Sequence, residues 1–139
     1  MMQEKFIDKL QKIISTCNSE GMYRGNYIPE NKLSNAIKHF SFDTTDTPLA
    51  LIDTTVFGSA KLGMIIGHKG IYFKNDWNVE SVRNFLSWQE IAESDFKIRK
   101  KTFEIEILPN CNFGMSAANM KRDALIDLLT EITESYNNM

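Results

Sequence analysis

Two glycine-bounded segments near the middle of the chain have the spacing of ligand loops. Gly58-Ser59-Ala60-Lys61-Leu62-Gly63 carries the four-residue gap of a phosphate-binding P-loop. That chemistry needs a Lys and then a Ser or Thr directly after the second glycine, an ammonium for the phosphates and a hydroxyl for Mg²⁺. Met64 and Ile65 stand there instead, so the segment reads as a tight inter-strand loop. Gly67-His68-Lys69-Gly70 matches the Gly-x-x-Gly loop with which KH domains clamp nucleic-acid backbone. The residues after it, Ile71-Tyr72-Phe73, favour a strand where a KH domain requires a helix. A hairpin turn is the expected reading, with both glycines free to take positive φ.

Nucleophiles and metal ligands are sparse. Ser59 lacks the Gly-x-Ser-x-Gly frame of a nucleophile elbow. Cys111, between Asn110 and Asn112, has only His39 and His68 in the chain as bases, and no motif pairs it with either. Two histidines and two cysteines, Cys17 and Cys111, fall in no metal-ligand spacing. Asp43 and Asp46 lie in the Thr-rich stretch SFDTTDTP, where capping and turn chemistry accounts for them. No catalytic residue, cofactor or metal is expected.

Binding chemistry has more material. Lys97, Arg99, Lys100 and Lys101, together with Lys61 and Lys69, form a candidate anion-binding set if loops bring them to one end of the fold. The competing reading is a solvated edge, with Lys97 and Arg99 paired across strands to Glu104 and Glu106. Trp77, in the polar stretch 75–83, is a candidate anchor for a partner, because aromatic side chains dominate interface hot spots. Its alternative is a lid over one end of the domain, whereas Trp88 reads as core. Phe6, Leu10 and Ile14 form an apolar stripe that either packs on the rest of the chain or mediates self-association as a homodimer.

The elements that must position these residues follow from periodicity. Residues 3–17 repeat apolar side chains at helical spacing, and 30–40, entered through Pro29, do so again. Residues 41–48 are turn formers and mark a boundary. Strands are then expected at 49–54, 63–66, 71–74 and 85–88. Alternating Phe96, Ile98 and then Phe103, Ile105, Ile107 give two more, turning at 99–101, with a last strand at 112–115. An amphipathic helix from about residue 117, capped by Ser116, carries Met120, Leu125, Leu128, Leu129 and Ile132. The order is helix, helix, about seven antiparallel strands, helix. That is an α+β chain with the pattern of a pleckstrin-homology-like (PH-like) barrel whose open corner the last helix fills. Residues 1–47 are expected as a helical extension and 48–139 as the barrel.

The segments IDTTVFGSAK (52–61), GMIIGHKGIYFKN (63–75) and SWQEI (87–91) resemble a group of bacterial proteins with PH-like domains. The resemblance implies a binding or scaffolding role, since PH-like barrels take lipids, peptides or other proteins, and it implies no catalytic residues.

Composition narrows the partner. With 139 residues, 42% hydrophobic, the chain is of single-domain size and has enough apolar material for a core. Its formal charge of −2 and pI near 5.7 argue against gripping nucleic acid through phosphate neutralisation. The first residues lack the apolar core of a signal peptide, and no run is long enough to span a bilayer, so a cytoplasmic location is expected. The functional expectation is a non-enzymatic module for a protein or peptide partner, with anionic lipid or phosphate as the alternative ligand.

Overall fold

The computed structural model describes residues 2–139, with side-chain surroundings from Glu4 onward. Helix α1 (Met2–Thr16) leads to a short strand β1 (Met22–Arg24), a 3-10 turn at Gly25–Tyr27 and helix α2 (Glu30–His39). Strands β2 (Pro48–Asp53), β3 (Gly63–Gly67), β4 (Gly70–Lys74) and β5 (Phe85–Ser87) follow, then helix α3 (Trp88–Glu93). Strands β6 (Arg99–Lys101), β7 (Glu104–Leu108) and β8 (Cys111–Gly114) precede the closing helix α4 (Arg122–Asn137). The chain is α+β, as expected.

The strands divide into an antiparallel sheet β1-β2-β3-β4-β5 and a second antiparallel sheet β6-β7-β8. The closed barrel read from the sequence is therefore corrected, since no ladder joins the two sheets among the described residues. The cause is local. Ser87 Oγ accepts the Glu90 N–H at 3.1 Å, and the Glu90 carboxylate accepts the Ser87 N–H at 2.9 Å. This capping box starts α3 at Trp88, the residue expected to end the strand, and the helix carries the chain across to the second sheet. Three other boundaries shift. Strand β1 forms inside the stretch read as irregular and pairs Tyr23 with Leu51. Residues 99–101, expected as a turn, are a strand, and the turn follows at Phe103 with φ 61°. The last helix starts at Arg122, and its N-cap Lys121 makes no side-chain cap bond.

The first sheet is buried on both faces, which explains its near-continuous apolar runs. Alternate residues Ile52, Met64, Ile66, Ile71, Phe73 and Leu86 face the second sheet, α1 and α4. Their neighbours Leu51, Ile65 and Tyr72 face α2, with Ala36, Phe40 and Phe42. Phe73 of β4 meets Phe113 of β8 edge-on at 5.8 Å between centroids, so aromatic contact joins the sheets where no ladder does. Phe6, Leu10 and Ile14 are buried in this same core, with Phe6 against Tyr136 at 5.0 Å and Trp88 at 6.4 Å. The α1 stripe is spent inside the protein and leaves no apolar face for self-association. Trp88 is core, as expected, and its indole N–H donates to the Gly67 carbonyl at 3.0 Å.

The β3–β4 hairpin forms where it was expected, for a different physical reason. Neither Gly67 nor Gly70 has positive φ. A Cβ at Gly70 would lie 2.1 Å from the Leu86 carbonyl oxygen, and one at Gly67 would lie 2.6 Å from Asp46 Oδ2. The glycines admit neighbours too close for any side chain. Asp46 itself is buried and takes four donors: the Thr47 and His68 amides on Oδ1, and the Lys69 amide and Tyr72 hydroxyl on Oδ2.

Candidate binding cleft

Strands β2 and β4 end, and β3 and β5 begin, at one end of the first sheet, because Asp53 pairs with Gly63 and Gly63 with Lys74. Two loops therefore emerge side by side, residues 54–62 and residues 75–84. They lean to opposite faces of the sheet, the first toward α2 and the second toward β8.

The 75–84 loop closes the outer edge of β8 with side chains. Asn75 Nδ2 donates to the Asn112 carbonyl at 2.7 Å, and Asn75 Oδ1 accepts the Gly114 N–H at 2.9 Å. One amide side chain thus makes the two bonds that a paired strand residue would make. Ser81 Oγ accepts the Asn112 N–H at 3.2 Å, and the Val82 N–H donates to the Asn110 carbonyl at 3.0 Å. Asn112 Nδ2 returns to the Glu80 carbonyl at 2.9 Å. Val79 packs against Gly114, where a Cβ would come within 2.9 Å of its methyl. The base of the loop is held by Arg83, whose guanidinium grips the Glu90 carboxylate through two nitrogens. That bidentate bond, helped by the Ser87 amide and hydroxyl against the cost of burial, lowers the Glu90 carboxyl to about 2.

Between this loop and β8 lies a cleft of about 610 Å³, lined by Asn75, Trp77, Glu80, Asn84, Asn110 and Asn112 among others. Trp77 stands at its rim with 91% of its surface exposed, so it is no lid. In the cleft wall the Asn112 Oδ1 atom is buried with no hydrogen-bond partner. A buried acceptor left unpaired costs stability. The cleft offers amide donors and acceptors beside an indole face, with Lys74, Asp76, Glu80 and Ser81 also in its lining. Cys111 beneath it is buried, and burial pushes its thiol above the ordinary range, which disfavours the reactive thiolate. No group of His, Cys, Asp and Glu among the described residues is placed to hold a metal.

The six cations singled out in the sequence do not meet. Lys69, in the β3–β4 turn, pairs with Asp43 at 3.0 Å. Arg99 pairs with Glu106 at 2.7 Å, as the alternating pattern predicted. Lys100 pairs with Asp123 at 3.2 Å and Lys101 with Glu104 at 3.5 Å. The ladder sets Lys101, not Lys97, opposite Glu104, which corrects that expected pairing. Lys97 is exposed, and Lys61 lies on the far side of the first sheet from this group, in the loop beside α2.

Sequence reasoning missed Asn75 and Asn112 because their work depends on two segments 37 residues apart meeting edge to edge. It also missed Asp46, whose signal, an acidic residue two before Pro48, looks like any loop cap. No family model matches the chain, and neither a curated protein nor a solved structure matches it.

Proposed function

We propose that this chain is a non-enzymatic binding module that receives an extended segment of a protein or peptide partner in the cleft between residues 75–84 and β8. The carrying observation is Trp77, 91% exposed, at the rim of a cleft lined by Asn75, Asn84, Asn110 and Asn112. A peptide supplies both complements, main-chain amides for the asparagine-lined wall and apolar side chains for the indole. The two antiparallel sheets, followed by a helix against them, support reading the fold as an opened PH-like barrel, and a barrel of that kind suits a binding role in the cytoplasm.

The test is selection of displayed peptides against the full chain. Selected peptides are expected to lose at least roughly tenfold in affinity against Trp77→Ala, a hot-spot-sized effect. Peptides that bind Trp77→Ala and Asn112→Ala as tightly as the wild type would remove the cleft from the function.

A further inference from the structure

The 54–62 loop carries the most exposed large apolar side chain among the described residues, and it is built rather than slack. Phe57 is 98% exposed and Val56 79%. The loop is fastened along α2 turn by turn. Lys32 Nζ donates to the Gly58 carbonyl at 2.7 Å, and Asn35 Nδ2 donates to the Ser59 carbonyl at 2.8 Å. Thr55 is held by Asp53 through its amide and hydroxyl, and it accepts the Ala60 N–H at 3.3 Å. Gly58 and Ala60 take positive φ, 79° and 57°, and the chain so turned buries Ala60 in the core facing α2. The same turn leaves Val56 and Phe57 projecting outward.

Three lysines stand around the next turn of α2. Lys38 lies in the last turn of the helix, Lys61 near the end of the loop, and Lys74 ends β4 opposite Gly63. All three are exposed, and none forms an ion pair among the described residues. They converge on half-buried His39, whose imidazole is lowered by burial and then by Lys74, Lys61 and Lys38. The carboxylates nearest in the chain are engaged elsewhere, Asp53 by Lys32 and Asp43 by Lys69. Asp76, two residues beyond Lys74, accepts the Trp77 amide. In a chain of net charge −2, these three ammonium groups stand near one another without a paired carboxylate.

We propose that the 54–62 loop and the C-terminal end of α2 form a docking surface for an anionic membrane, with Val56 and Phe57 entering the headgroup–acyl boundary and Lys38, Lys61 and Lys74 meeting the headgroups. An apolar tip with unpaired ammonium groups toward the base of the same loop matches the two layers of such an interface in order of depth. The shape favours a bilayer over a peptide. Phe57 projects from a convex tip, so the receiving surface must supply the concavity, and a fluid interface does so without a fitted pocket. The 54–62 loop lies on the opposite face of the sheet from the Trp77 cleft, which Lys74 borders, and Lys38 comes from α2, outside the segments that resemble PH-like proteins.

The experiment is co-sedimentation of the full chain with vesicles of phosphatidylcholine alone and of phosphatidylcholine with about 30 mol % phosphatidylglycerol. Sedimentation is expected only with the anionic vesicles and is expected to fall as salt rises to about 0.5 M. Combined Lys38→Gln, Lys61→Gln and Lys74→Gln should weaken partitioning by roughly a hundredfold, and Lys97→Gln should leave it unchanged. Phe57→Ser should weaken it about tenfold. Phe57→Trp adds a second readout, since its added fluorescence should be quenched by vesicles with brominated acyl chains. Equal sedimentation with both vesicle types, no sedimentation with either, or undiminished binding by Phe57→Ser overturns the proposal. So does binding of soluble poly-glutamate without binding of vesicles, which would make the partner an acidic polypeptide.

Discussion

The Tyr72 hydroxyl donates to Asp46 Oδ2 at 2.6 Å in the interior, across 26 residues of sequence. Burial, and then this bond, pushes the Tyr72 hydroxyl above its ordinary range, so it remains a donor at any physiological pH. Asp46 stays buried because every oxygen lone pair it presents finds an N–H or O–H, and the β3–β4 turn is fixed by what the carboxylate gathers.

Breaking that bond from either side should be costly. Tyr72→Phe is expected to lose about 1–2 kcal/mol, because a charge-assisted bond disappears. Asp46→Ala is expected to lose about 3–5 kcal/mol, because four donors are stranded together. Urea denaturation of both variants measures this, and an Asp46→Ala loss under about 1 kcal/mol would show that water replaces the carboxylate freely.

Gly67 and Asp46 should behave as one unit. A Cβ at Gly67 strikes the Asp46 carboxylate, so Gly67→Ala is expected to cost about 2–3 kcal/mol in the wild type and far less in Asp46→Ala. Gly70→Ala meets the Leu86 backbone instead and is expected to be damaging in either background. A double-mutant cycle separates the two cases.

Stability should fall with acid through a window set by Glu90. Its carboxyl lies at about 2 when folded, against an ordinary value of 4.5. A depressed folded value means that the unfolded chain binds the proton first. The contribution is therefore fully present above 4.5 and is lost as pH falls toward 2. Glu106 and Asp53 shift in the same direction. The Asn110 amide and Arg99 lower Glu106, and the Lys32 and Thr55 bonds lower Asp53 against its burial. Glu90→Gln should flatten the stability–pH slope between pH 4.5 and 2 while leaving most of it in place. Because Glu90 is partly exposed, solvent keeps the change small. Unfolding curves at stepped pH read the slope directly.

Asn75 should matter for association as well as stability. Asn75→Ala strands the Gly114 N–H and the Asn112 carbonyl, an expected loss of about 1–3 kcal/mol. It also uncovers the edge of β8, so concentration-dependent oligomers are expected in light scattering. Trp77→Ala, at an exposed site, should stay within about 0.5 kcal/mol of wild type in the same assays.

What the sequence made legible was whatever rests on neighbours along one strand or helix. The α1 stripe, the β3–β4 hairpin and the Arg99–Glu106 pair follow from periods of 3.6 and two. The start of α3 was also written there, since Ser87-x-x-Glu90 is a capping box, but the β-favouring Phe85-Leu86 before it masked the signal. Strand β1 is three residues long and exists because β2 offers an edge. The Lys38, Lys61 and Lys74 group joins a helix, a loop and a strand, so no window along the chain contains it. The expected Lys97–Lys101 cluster failed for the converse reason: four cations close in sequence alternate across an edge, where carboxylates neutralise three of them.

The Asn75 amide also bears on how this molecule is free to change over generations. It and Ser81 take up the backbone groups on the outer edge of β8, so between them only Glu80 lends that strand a backbone group, the carbonyl that accepts the Asn112 side-chain amide. Asp76, Trp77 and Asn78 are exposed and form a short turn of their own. New side chains there alter what the cleft greets without disturbing what keeps the chain folded. Two fixed posts with a variable span between them let recognition drift while the architecture stands still.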